Sequence, residues 1–199
     1  MNTTIEKYVR SVSILAATIS IVWFVFNGIY DLQSLFDSIS KGTSISILLW
    51  LFYEKWLWRF SPFEKLPRLA PKYYGKVKFE FQGKKGEKKV QIAIKQTLLC
   101  TKVIIDSDEM TSNTVISQTI LENDEYVLYY SYITSPHGDK DQENPIRRGT
   151  CRIRLVEESG KLLQSFFLHK AKSELRADYW TNAHTTGTIE LSEARKTAK

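Results

Sequence analysis

Apolar positions are arranged in two different ways along this chain of 199 residues. As far as about residue 60 they come in long runs. Beyond about residue 72 they alternate with polar ones. From Ser11 to Tyr30 there are twenty residues without a charge, bounded by Arg10 and Asp31. At the helical rise such a stretch covers ~30 Å, the thickness of a hydrocarbon core. Lys7 and Arg10 also suit a secretory signal peptide, but the stretch is too long for one and no small-x-small cleavage site follows. A second apolar stretch, 42–60, is charge-free only over 42–53. Trp50, Tyr53, Trp56 and Trp58 suit a membrane–water boundary, and Lys55 can snorkel there. An interfacial or re-entrant helix is the alternative for so short a run. The pattern predicts two transmembrane helices, 11–30 and 42–60, joined as an antiparallel hairpin by the short connector Asp31 to Lys41.

Pro62, Pro67 and Pro71 punctuate a linker over 61–71. Period-2 alternation follows. Tyr73, Val77, Phe79 and Phe81 define a first strand, and Gly83-Lys84-Lys85-Gly86 a turn. Val90, Ile92 and Ile94 mark the second strand, Val103 and Ile105 the third, and Thr114 to Leu121 the fourth. Asn123-Asp124 is a turn signal before an aromatic fifth strand, Tyr126 to Ile133. A polar loop covers Thr134 to Pro145. Cys151, Ile153 and Leu155 mark a sixth strand, Leu162 to Leu168 a seventh after Ser159-Gly160, and Gly187 to Leu191 the end of an eighth. Eight short strands with tight turns predict an antiparallel barrel or sandwich, and of these an eight-stranded, lipocalin-like barrel over 72–192, with a tail at 193–199. Such a barrel is either filled or holds one small ligand.

Composition narrows the function. Hydrophobic content is 43% and charged content 25%, and with nine glycines and five prolines the chain is neither collagen-like nor low-complexity. Two cysteines do not make a disulfide framework, and with three histidines they argue against a structural zinc site. The net charge of +6 is too mild to indicate a DNA or RNA polymer. Basic residues set the membrane orientation: Lys7 and Arg10 precede the first helix, Lys55, Arg59, Lys65, Arg68 and Lys72 follow the second, and the connector has only Lys41. Both termini are therefore expected in the cytoplasm. Catalysis has little support. His137 lies in a Ser-Pro-His-Gly loop with no nucleophile motif, Gly83 and Gly86 lack what a phosphate loop needs, and Asp106, Asp108 and Glu109 read as a solvated turn. No catalytic residue, metal or cofactor is called for.

Binding has more. Tyr126, Tyr129, Tyr130 and Tyr132 share one strand; Arg147, Arg148, Arg152, Arg154 and Lys170 follow; Tyr179, Trp180, His184, Thr185 and Thr186 come near the end. Aromatics stack on bases and arginine is a bidentate phosphate donor. The candidate ligand residues are Tyr130, Tyr132, Arg148, Arg152, Trp180, His184 and Thr186. Against this, the tyrosines are equally readable as barrel core and the arginines as its solvated face.

Two membrane helices joined to an eight-stranded barrel, together with Leu128-Tyr129-Tyr130-Ser131-Tyr132, Arg148-Gly149-Thr150 and Thr185-Thr186-Gly187-Thr188-Ile189-Glu190-Leu191, form a distinctive combination. It resembles the CD-NTase-associated, two-transmembrane β-barrel effectors of bacterial CBASS antiphage defence. The resemblance covers nearly the whole chain. In that family a basic residue is expected before the Thr/Gly turn, and His184 is the nearest candidate. The resemblance implies a cyclic dinucleotide or oligonucleotide second messenger as ligand, made by a partner CD-NTase. It implies a ligand-induced homo-oligomer in the bacterial inner membrane, disruption of that membrane, and death of the infected cell. Thr18, Ser20, Asn27, Ser44 and Ser46 are then candidates for contacts between helices of the oligomer. The alternatives are a membrane-tethered carrier of an apolar small molecule or lipid, and a structural module with a filled barrel.

Overall fold

The computed structural model describes residues 3–28, 31–62, 64–81, 83–137, 146–156 and 170–193. The chain divides into two compact units, Met1–Trp58 and Arg59–Lys199.

The first unit is a helical hairpin. Helix α1 spans Thr3–Asn27 and α2 spans Leu32–Lys55, each long and apolar enough to cross a membrane. The segment 31–41, expected as a connector, is helical instead. Asp31 caps α2 by accepting a hydrogen bond from Ser34 N at 2.7 Å, and nothing between Leu32 and Lys41 breaks a helix. Absence of charge marks where a chain is apolar, not where its helix begins; the same reason places the start of α1 at Thr3, not Ser11. The second helix stops at Lys55, and a single 3-10 turn, Leu57–Phe60, follows. Tyr30 lies outside the described residues. Ser38, Gly42 and Ser46 are buried along one stripe of α2. A Cβ on Gly42 would run into Ser20 and the Ala16 carbonyl, so the helices touch backbone to backbone there. Hydroxyls of Ser13, Thr18, Ser20, Ser38, Ser44 and Ser46 each donate to the carbonyl four residues earlier. Such back-bonding lets polar residues sit in an apolar setting. Ser20 and Ser46 are thus used inside the hairpin.

The second unit is a closed barrel of eight strands, each antiparallel to the next, with the last paired to the first. They are β1 Lys72–Phe81, β2 Lys84–Gln96, β3 Thr101–Asp106, β4 Met110–Glu122, β5 Glu125–Pro136, β6 Arg148–Leu155, β7 Glu174–Thr181 and β8 Thr186–Glu193. Three expectations are corrected. The first turn is tighter than 83–86: Phe81 pairs with Lys84, and Gly83 takes φ 77 within the two-residue connection. Strand β5 continues to Pro136, into the expected polar loop. The seventh barrel strand is Glu174–Thr181, where Leu175, Ala177 and Tyr179 point in between Arg176, Asp178 and Trp180; the segment Leu162 to Leu168 lies outside the described residues, as does 194–199. Asn123 and Asp124 both adopt left-handed φ, 47 and 65, and close the β4–β5 hairpin.

One end of the barrel is sealed. Leu69 and Ala70 are buried in the core with Tyr73, Ile92, Leu128, Ile153 and Leu191. The Gln96 side chain accepts from Leu69 N at 2.9 Å and donates to Pro67 O at 3.0 Å, while Tyr73 Oη accepts from Ala70 N at 3.0 Å. Arg59 Nη2 donates to Gln96 O at 2.8 Å. Pro67, Leu69 and Ala70 therefore form a fastened plug, their backbone groups held by the Gln96 and Tyr73 side chains.

Candidate ligand cavity

At the other end the wall positions stop meeting across the middle, leaving a cavity of about 260 Å³. Aromatic rings shape it. Phe79 stands directly across from Gly86, Tyr132 from Gly149 and Tyr179 from Gly187. A Cβ on any of these glycines would collide with the opposite ring. Each ring therefore lies across a bare stretch of neighbouring backbone, along the wall and not through the lumen. Three aromatics thus leave room in a barrel that would otherwise be filled.

Two cations reach the same space. Lys88 lines it from β2, pairs with Glu109 and sits 5.7 Å from the Phe79 ring centroid. Arg147 lines it from the residue before β6. Its backbone is clamped to Thr134: Arg147 O accepts from Thr134 N at 2.8 Å, and Arg147 N donates to Thr134 Oγ1 at 2.9 Å. Its charge opposes the upward pull of burial on the Tyr132 and Tyr179 hydroxyls, yet burial wins: Tyr179 is pushed up to about 12 and Tyr132 higher. Both phenols are therefore protonated donors at neutral pH. Burial likewise raises the Tyr130 hydroxyl and pushes the Cys151 thiol up to about 12. Thr185 is 4% exposed, lines the cavity, and its Oγ1 has no hydrogen-bond partner among the described residues. The remaining lining mixes apolar Val77, Val90, Ile105, Met110 and Ile189 with the hydroxyl side chains of Ser107, Ser112, Thr134 and Thr181.

The seven residues singled out in the sequence divide. Tyr132 lines the cavity, and Tyr130, 3% exposed, is core, its ring centroid 6.0 Å from that of Tyr132. Arg148, Trp180 and Thr186 are outward, Trp180 45% exposed. Arg148 and Trp180 share an outer groove with Val115 and Ile133. Arg152 is also on the outer wall, where Nε donates to Tyr129 Oη and Nη2 to Glu122 Oε2, both at 2.9 Å. That triad holds the Glu122 carboxyl below the usual carboxylate range. His184 is exposed in the β7–β8 turn at φ 57, its N–H donating to Thr181 O. Strand parity explains the split. Cys151, Ile153 and Leu155 face in, so 147 and 149 face in and 148 and 152 face out. Counting back by twos from Ile189 selects Gly187 and Thr185, and from Val90 it selects Lys88. The signal for Lys88, Arg147, Tyr179 and Thr185 was therefore in the alternation itself.

Comparison with known proteins bears on what such a cavity takes. Residues 64–193 match the family described as "Cap15, cyclic dinucleotide receptor domain". The chain belongs to that family. It is also 35% identical over 162 residues to CD-NTase-associated protein 15 of Staphylococcus schleiferi, covering 80% of each chain. The family match runs from Glu64 to the last residue of β8, so it takes in every strand of the barrel.

Proposed function

We propose that the cavity binds a cyclic dinucleotide made by a partner CD-NTase of a CBASS antiphage system. Binding then drives copies of the chain to assemble in the bacterial inner membrane and breach it. The observation that carries this reading is the placing of three wall-hugging aromatics beside Lys88 and Arg147 in one cavity. A cyclic dinucleotide has two flat bases and two phosphates. Aromatic faces stack on the first, and cations with protonated phenols hold the second. At about 260 Å³ the cavity is small beside the ~300–1,000 Å³ of ordinary small-molecule sites, so the ligand is seated partly in the mouth. The two apolar helices support membrane residence, and the basic residues at 7, 10 and 55–72 support cytoplasmic termini. Assembly follows thermodynamically if the ligand binds the assembled state better.

The test is isothermal titration of the full chain in detergent with cyclic di-AMP, cyclic di-GMP, cyclic di-UMP and cyclic UMP–AMP. At least one binds saturably, and Arg147→Ala and Phe79→Ala each weaken it tenfold or more, whereas Arg152→Ala on the outer wall does not. No binding by any of the four overturns the reading. Saturable uptake of a fatty acid instead would favour the lipid carrier, which the apolar part of the lining suits.

A further inference from the structure

Two ionisable side chains of α2 lie deep along the hairpin, and neighbours on α1 give their depth. Tyr8 meets Trp50 with ring centroids 5.1 Å apart, Gly42 packs on Ser20 and Ala16, and Lys41 Nζ stands 5.4 Å from the Trp23 ring centroid. Helix α1 carries no charge from Ser11 to Asn27. A bilayer that holds this stretch therefore also holds Lys41, about 14 Å along the axis from Trp50, and Asp37 one turn further. Both are exposed, on a flank about 100° round the helix from the stripe of Ser38, Gly42 and Ser46 that is buried. Ionisable groups at such depth normally face a partner or a water-filled space.

We propose that this flank is an interface between copies of the chain, in which Asp37 of one hairpin pairs with Lys41 of the next and the ring of pairs lines a polar path through the bilayer. The occupant is a second copy because the flank is complementary to itself. Residues four apart share a face, one negative and one positive. Hairpins inserted in the same direction bring both to the same depth, where a lysine side chain bridges one turn. The inference rests on the assembly reading above and names the surface that reading leaves open.

The experiment reads dye leakage from phosphatidylethanolamine–phosphatidylglycerol vesicles carrying the full chain, after adding the tightest binder of the four dinucleotides. Asp37→Lys and Lys41→Asp each lower the leakage rate tenfold or more, with ligand titration unchanged. An equimolar mixture of the two variants restores leakage, because each supplies the charge the other lacks; this also shows that both fold and insert. Single variants that leak like wild type overturn this proposal alone. So does a silent mixture beside an active Asp37→Lys/Lys41→Asp double variant, which would place the pair within one helix. Wild-type protein that binds ligand and never leaks overturns the assembly reading and this one together.

Discussion

Thr185 carries a strain of solvation that a ligand can relieve. Its hydroxyl is buried against the cavity with no acceptor or donor among the described residues. A buried polar group in that state costs about 1–3 kcal/mol. Thr185→Val keeps the shape and removes the hydroxyl. The expected result is a barrel more stable by about 1 kcal/mol and a cyclic dinucleotide bound at least fivefold more weakly. Calorimetric unfolding and titration on the same variant check both halves, and Thr185→Ser should recover the affinity. A variant that loses stability and keeps its affinity would make Thr185 an ordinary packing residue. The neighbouring phenols act in the same sense. Burial holds Tyr132 and Tyr179 protonated well above neutral pH, so the proposed ligand meets them as neutral donors.

At the scale of the strand, the glycines opposite the aromatics do different jobs, and substitution separates them. The three atoms nearest a methyl on Gly86 all belong to the Phe79 ring, whereas a methyl on Gly187 meets the Lys78 carbonyl as well as the Tyr179 ring. Gly86→Ala is therefore expected to push Phe79 into the lumen and weaken ligand binding about tenfold with a small change in melting temperature. Gly187→Ala is expected to strain the β1–β8 pairing and lower the melting temperature first. Thermal melts beside titrations distinguish the two, and equal effects on both measures would sink the idea. This scale was also the most legible in the sequence. The runs around Val90, Tyr126 and Cys151 announced their strands because one face is apolar throughout. Strand β7 hid because its inward set contains small Ala177 and its outward set contains Trp180, which inverts the usual contrast. The arginines crowd together in the sequence, and one residue of register is all that separates Arg147 in the cavity from Arg148 outside it.

For the whole molecule, the proposed function assigns recognition and membrane action to different units, so they should be separable by mutation. The hairpin was visible as two apolar runs, but the extent of α2 was not: Asp37 and Lys41 looked like loop residues because charge within a span is rare, and capping by Asp31 overrode that pattern. Without a hydrophobic force between helices in lipid, close packing holds such a hairpin together, and at Gly42 the two backbones approach closely. Gly42→Leu forces α2 away from Ser20 and the Ala16 carbonyl, and those are partly backbone atoms that no rotamer change can move. The expected outcome is vesicle leakage reduced tenfold or more, with dinucleotide affinity and the ligand-induced rise in barrel melting temperature intact. That rise should correspond to about 2.7 kcal/mol at a hundredfold excess over Kd. Val22→Leu, at an exposed apolar position of α1, should change neither readout. If Gly42→Leu instead abolishes binding, the two units are one cooperative structure and the ligand reports on the hairpin directly. If it leaves leakage untouched, the membrane is breached by something other than a packed pair of helices.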